Sequence, residues 1–308
     1  MCGSNTWRKP DSRRTLPLIE GRWSLLQQRT HPLQLARAER ERERERGMAN
    51  LFCKQAQNYV ETRPSYPDDL FRFIDSKTPQ HDLAWDVGTG SGQAAVSLAR
   101  IYKRVVATDT SHEQLSFAPR LPNIEYRHTP LTLSPTDLHQ HVAPPSTVDL
   151  VSVAQALHWF DLPTFYDGIN SVLVKPGGVL AVWCYTEPQV DPAVDTVFWR
   201  LYTESGRFWA AARQMVDDEY RSLLFPYDPV DGEEGTGPFE FAAERAMDMG
   251  KYLTYIRSWS AYQTAKESGV ELLTDGMLSD LEKAWGGDGK AVKVVRFPIF
   301  LRIGKVRS

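Results

Sequence analysis

Apolar residues follow two different periods along the chain, and the exchange between them sets its architecture. Short, largely apolar runs bounded by turn residues read as strands over 84–87, 105–108 (ending at Asp109), 148–153 and 179–184, and 124–128 is placed as a third strand between the second and the fourth. Between them apolar positions recur three and four residues apart. Such spacing predicts a helix from Pro67, with Asp68 and Asp69 in its first turn and Leu70, Phe73 and Ile74 on one face. It predicts a second over 94–102 that buries Ala95, Leu98, Ala99 and Tyr102, and another over 162–173 that turns Phe165, Ile169, Val172 and Leu173 inward. Ser134-Pro135-Thr136-Asp137 has capping-box character and opens a short helix toward Val142. Five strands alternating with helices make an α/β chain with a doubly wound, Rossmann-like parallel sheet.

Beyond Tyr185 the rhythm changes. Residues 186–237 lack the alternation and hold Phe198, Trp199, Tyr202, Phe208 and Trp209, the pattern of a helical, aromatic-rich insertion covering the ligand edge of the sheet. Taken singly, each ring reads as core of a helical cap. A strand follows over 239–247, then a broken helical stretch over 251–285. Residues 292–303 alternate well enough to close the sheet, with Pro298 marking a bend or edge position.

Charge separates the two ends of the chain. Residues 1–47 carry 11 Lys and Arg against 6 Asp and Glu, which leaves −8 on the remainder from an overall −3. An acidic body argues against a nucleic-acid partner, since phosphate backbones are bound through clustered Lys and Arg. Residues 39–46 read Glu-Arg four times over, as a translated dinucleotide repeat would, and Met48 follows shortly. The expected organisation is therefore a disordered extension over 1–47 and a folded domain over 48–308. Cys2, Cys53 and Cys184 show neither paired nor metal-ligand spacing, no metal site is expected, and no run is long and apolar enough to span a membrane. These features make the cytosol the expected compartment.

The chemistry concentrates in DVGTGSGQ, Asp86 to Gln93, between the first strand and the following helix. Glycines in such a turn let a ligand approach the main chain. Asp109 ends the second strand 21 residues after Gly88, the spacing at which a carboxylate reaches the hydroxyls of a ribose. Gly90 to Ala95 also fits the dinucleotide fingerprint G-x-G-x-x-A, so the glycines alone leave two cofactor classes open. Asp86 favours a zwitterionic amino-acid cofactor over a diphosphate, which a nearby carboxylate repels.

With these residues in place, the chain resembles the class I S-adenosylmethionine-dependent methyltransferases. The resemblance rests on DVGTGSGQ, Asp109, the fourth-strand segment VDLVSVAQALHWF over 148–160 and LVKPGGVL over 173–180. RPSYP over 63–67 and AQALHWFD over 154–161 are similar to the type 11 group, which includes trans-aconitate-type methyltransferases and plant embryo-abundant-like proteins. The resemblance implies seven strands in the order 3-2-1-4-5-7-6 with the seventh antiparallel, and S-adenosyl-L-methionine as cofactor. It places Asp86, Gly88, Gly90 and Gly92 toward the methionine end, Asp109 at the ribose and Thr129 near the adenine, and counts Thr89, Thr110 and Gln155 among the cofactor-binding residues. His128-Thr129-Pro130 departs from the family by lacking an acidic residue there. Tyr59 and Arg63 belong to a segment expected to close over the cofactor, with Arg63 pairing the cofactor carboxylate.

His158, after the fourth strand, is the candidate general base, or a donor that orients the acceptor. The expected activity is methyl transfer (EC 2.1.1.-) to a small-molecule carboxylate or other oxygen nucleophile, with Arg207 or Arg213 attracting an acidic acceptor. Two rivals remain at this point, a binding module without catalysis and an NAD-dependent oxidoreductase; they differ in whether S-adenosylhomocysteine binds and whether a methyl group is transferred.

Overall fold

The computed structural model describes residues 65–307. The expectations for 1–47, Tyr59 and Arg63 lie outside them. In chain order the elements are α1 (Asp68–Lys77), β1 (Leu83–Val87), α2 (Gln93–Leu98), β2 (Arg104–Asp109), α3 (His112–Ser116), β3 (Ile124–His128), α4 (Pro135–His141), β4 (Leu150–Ala154), α5 (Leu162–Val172) and β5 (Val179–Tyr185). They continue with α6 (Pro192–Ser205), α7 (Gln214–Asp217), β6 (Phe239–Met247), α8 (Met249–Arg257), α9 (Ser260–Glu267), α10 (Asp275–Trp285) and β7 (Lys293–Lys305).

The strands form one sheet in the order β3-β2-β1-β4-β5-β7-β6. Pairings among β1 to β5 are parallel, and β7 runs antiparallel to both β5 and β6. The expected order and direction hold. Successive side chains on a strand point to opposite faces, and β5 shows what that does to the core. Val179, Ala181, Trp183 and Tyr185 join the cluster under α1, α2 and the C-terminal helices, while Leu180, Val182 and Cys184 join the one under α4 and α5. Both faces are covered, so the strand is apolar throughout. Strand order reverses between β1 and β4, and a crevice opens at their carboxyl ends.

Several elements depart from the periodicity. Helix α2 ends at Leu98, and turns carry the chain to a buried Tyr102. In α5 it is Tyr166 that is buried, its hydroxyl donating to the Leu224 carbonyl at 2.9 Å, while Phe165 is half-buried. Leu173 leaves the helix and pairs with Val148 in an isolated bridge, so β4 starts only at Leu150. Pro298 lies in an inner strand. Its carbonyl accepts from the Thr186 amide at 3.1 Å, one residue beyond the last β5–β7 pair, so its missing N–H falls where that ladder has already ended.

Helices within 186–237 are confined to 192–217; none occurs over 218–237. That stretch is tied down instead by the buried Arg302 of β7. Its guanidinium donates to the carbonyls of Tyr220 (2.9 Å) and Thr236 (3.2 Å) and to Thr236 Oγ1 (2.8 Å). Among the described residues no helix is long and apolar enough to cross a membrane, and no group of three or more His, Cys, Asp or Glu is placed to hold a metal ion.

Candidate functional site: two cavities at the end of the fourth strand

The loop after β1 is shaped by what surrounds it. Gly92 has φ +82°, and a Cβ there would collide with the Tyr126 hydroxyl reaching across from β3. Gly90 has φ +57°, and a Cβ on it would point into open space, with only Gln114 Oε1 nearby at 3.8 Å. The main chain at Gly90 is therefore open to a ligand in a way no other residue would allow.

Asp109 ties this loop to the next one. Its Oδ2 accepts from the Gly90 amide and its Oδ1 from the Ser111 amide, both at 2.8 Å. A carboxylate oxygen has two lone pairs, so each retains capacity for a hydroxyl donor. Asp86 plays a different part from the one expected. It is fully buried beneath the loop, accepting from Thr89 Oγ1 at 2.6 Å and Ser152 Oγ at 2.7 Å, and does not line the crevice. Burial pushes its carboxyl up to about 6, against the lowering effect of those hydrogen bonds. Of these two carboxylates it is Asp109, and not Asp86, that lines the crevice.

The crevice encloses about 380 Å³. Of the residues expected at the cofactor, Gly88, Gly90, Asp109, Thr110, Thr129 and Gln155 line it, whereas Asp86, Thr89 and Gly92 support the loop from behind. Ser111, Gln114, Leu133, Leu138, Phe160 and Phe165 also line it, and sequence reasoning missed them. Ser111 carried a usable signal: it caps α3, accepting from the Gln114 amide at 3.2 Å, and so turns Gln114 back toward the glycine loop. Gln114 Oε1 is buried with no hydrogen-bond partner among the described residues. A buried acceptor beside Gly90 and Asp109 calls for a donor from a ligand. Polar groups at one end and apolar walls at the other fit an adenosine carrying an amino-acid arm.

A second cavity of about 230 Å³ adjoins the first, and Gln155 and Trp159 line both. Gln155 follows β4 at φ +57°. Its amide is clamped on β5, accepting from the Tyr185 N–H at 2.9 Å and donating to the Tyr185 carbonyl at 3.1 Å. A left-handed non-glycine residue held this firmly costs free energy and marks a position of use. His158 lines the second cavity only, its Nδ1 3.4 Å from the Tyr220 hydroxyl. Burial, aided by the charge of Arg213, depresses its pKa to about 4, so the ring is neutral at physiological pH.

Arg213 reaches the second cavity and Arg207 does not. Arg213 is already engaged, by Glu187 at 2.6 Å and Asp217 at 2.8 Å, and its guanidinium lies 4.7 Å from the centre of the Trp209 ring. Arg207 stacks on Phe208 at 4.7 Å.

Fold and crevice together define a class I methyltransferase architecture, and comparisons with known proteins agree. A family model described as "Methyltransferase domain" matches residues 85–182. The chain is 33% identical over 258 residues to a protein of Dictyostelium discoideum named as a methyltransferase, an alignment covering 81% of this chain and 92% of that one. It is 26% identical over 235 residues to a Saccharomyces cerevisiae protein named as the S-adenosylmethionine-dependent methyltransferase CRG1, covering 68% and 79% respectively. Among solved structures, one titled as a type II methyltransferase from Anaeromyxobacter dehalogenans superposes with a TM-score of 0.67 at 34% identity, over 79% of this chain and 97% of that one. The chain belongs to the class I S-adenosylmethionine-dependent methyltransferases, with S-adenosylmethionine as its cofactor.

Proposed function

We propose that the protein transfers a methyl group to an oxygen nucleophile of a small molecule held in the second cavity, with the cofactor in the larger crevice. The observation that carries this reading is the shared wall: two half-open cavities of unequal size meet at Gln155 and Trp159, at the carboxyl end of β4. A volume of about 230 Å³ suits a metabolite and not a nucleic acid. The segments over 63–67 and 154–161 support membership of the type 11 group, and the unpaired cysteine spacing supports the cytosol.

Asp109 and Gln114 hold the ribose hydroxyls, Thr129 and the apolar wall of Leu133, Phe160 and Phe165 take the adenine, and Gly88 to Gly90 offer backbone to the methionine arm. When bound, the cofactor supplies a methyl group on a sulfonium, which is itself a good leaving group. The protein has correspondingly little acid–base work to do. Alignment of donor and acceptor across Gln155 and exclusion of water by the aromatic cover supply most of the rate. His158, neutral and partly buried, takes up the proton that a hydroxyl acceptor releases.

Incubation with methyl-labelled cofactor and a fractionated small-molecule extract tests the reading, with label expected in a low-molecular-mass product. A thermal-shift comparison accompanies it: S-adenosylhomocysteine raises the melting temperature and NADH does not. Stabilisation by NADH alone would turn the reading toward an oxidoreductase.

A further inference from the structure

We infer that the acceptor is an aromatic alcohol of one or two rings without a carboxylate of its own, bound among Trp159, Trp209 and Trp259. The inference rests on the methyltransferase reading above and concerns only what the second cavity admits.

Size sets the first limit. A cavity on the order of 150 Å³ accommodates benzene, so the present one, at about 230 Å³, has room for one or two rings and not for three. Its walls are already assembled without a ligand. Trp209 and Trp259 have centroids 5.6 Å apart, Tyr202 lies 5.9 Å from Trp209, and Tyr255 lies 5.9 Å from Trp259. Rings locked by one another lose little freedom when a flat guest arrives, and aromatic contacts add specificity to the burial of area. Trp159 is the exception: it lines both cavities yet stays 51% exposed. A guest would cover that indole.

Charge sets the second limit. Among the described residues Arg213 is the cation of this cavity, and its partners Glu187 and Asp217 together outweigh it. A carboxylate entering here would lose its water and meet Glu187 without an uncommitted counter-charge among the described residues, whereas a neutral hydroxyl pays neither cost. The chemistry balances without a strong base. As the hydroxyl oxygen forms its bond to the methyl carbon, the sulfur–carbon bond breaks and its electron pair stays on sulfur. The protonated ether that results passes its proton to the uncharged His158 ring and thence to water. Such an ether is a strong acid, so a weakly basic imidazole suffices.

The test compares phenol and 2-naphthol with benzoate and 2-naphthoate, with aniline, and with a three-ring phenanthrol, each with labelled cofactor. The alcohols of one and two rings are expected to exceed the matching acids in kcat/KM by about tenfold or more, and the three-ring alcohol to be inert. Binding is read independently, as quenching of 2-naphthol fluorescence in the presence of S-adenosylhomocysteine. Glu187→Gln, which relieves the excess negative charge, is expected to raise the acid-to-alcohol rate ratio; an unchanged ratio overturns the charge argument. Preference for the acids or the amine, or turnover of phenanthrol, overturns the assignment. So does the absence of transfer to any ring compound by protein that S-adenosylhomocysteine stabilises. If S-adenosylhomocysteine itself fails to stabilise the fold, the methyltransferase reading falls instead.

Discussion

Two side chains decide how the cofactor crevice is built. Asp109 receives two backbone amides at 2.8 Å, so replacing it removes an anion from the site and leaves the Gly90 and Ser111 donors without their partner. Hydrogen bonds to charged groups are worth about 1.5–3 kcal/mol. Asp109→Ala should accordingly weaken S-adenosylhomocysteine binding by roughly 10- to 100-fold in calorimetry. Gln114→Ala, which deletes a neutral acceptor with nothing else to satisfy, should cost about tenfold or less and leave the melting temperature of the free protein in place. Gly92 offers a sharper test because its neighbour can be changed as well. Gly92→Ala brings both a left-handed alanine, at about 1–2 kcal/mol, and a collision with the Tyr126 hydroxyl. Tyr126→Phe in the same chain removes the collision and keeps the backbone strain. Urea titrations of the two single variants and the double should therefore show the pair recovering part of the loss; strict additivity would mean the contact carries no energy.

At the scale of elements, β1, β2, β4 and β5 were legible because each is buried on both faces or nearly so, and a doubly buried strand prints a largely apolar run, whereas the half-buried edge strand β3, IEYRH, was placed by the alternation around it. Asp109 was legible for a related reason, since strand length fixes its distance from the glycine turn. Gln114 was not, because its orientation comes from the Ser111 cap on a five-residue helix too short to show a period. The stretch 218–237 was misread as helical because 186–237 was read as one unit from aromatic residues that all fall within 198–209, while the backbone partner of 218–237, Arg302, lies far along the chain in β7. That dependence can be measured. Arg302→Met keeps the apolar stem and withdraws the donors to Tyr220 and Thr236, so it should destabilise the fold by about 2–4 kcal/mol. Limited proteolysis should then cut first within 218–237. Lysine should rescue poorly, because one ammonium cannot reproduce a planar fork aimed at separate carbonyls.

Across the whole molecule, the buried Asp86 and the partly buried His158 pull the pH dependence of stability in opposite directions. Asp86 is held up from its ordinary 3.8 to about 6 by burial. As pH rises through that interval the unfolded chain gives up its proton while the folded one keeps it, so Asp86 costs stability progressively and fully above the upper value. His158 is held down from 6.5 to about 4, by burial first and the Arg213 charge second. As pH falls through that interval the unfolded chain takes up a proton that the folded one refuses, so His158 costs stability at the acid end. Each effect amounts to roughly 3 kcal/mol when complete, and between about pH 4 and 6 the slopes nearly cancel. Replacing either group should expose the other. Asp86→Asn should lose stability relative to the parent as pH drops from 6 to 4, and His158→Gln should gain it over the same interval. Urea unfolding at a series of pH values gives both difference curves, in which the exposed ion pairs common to all three proteins drop out. Curves of opposite slope are expected, and two flat ones would mean that neither group changes its proton affinity on folding.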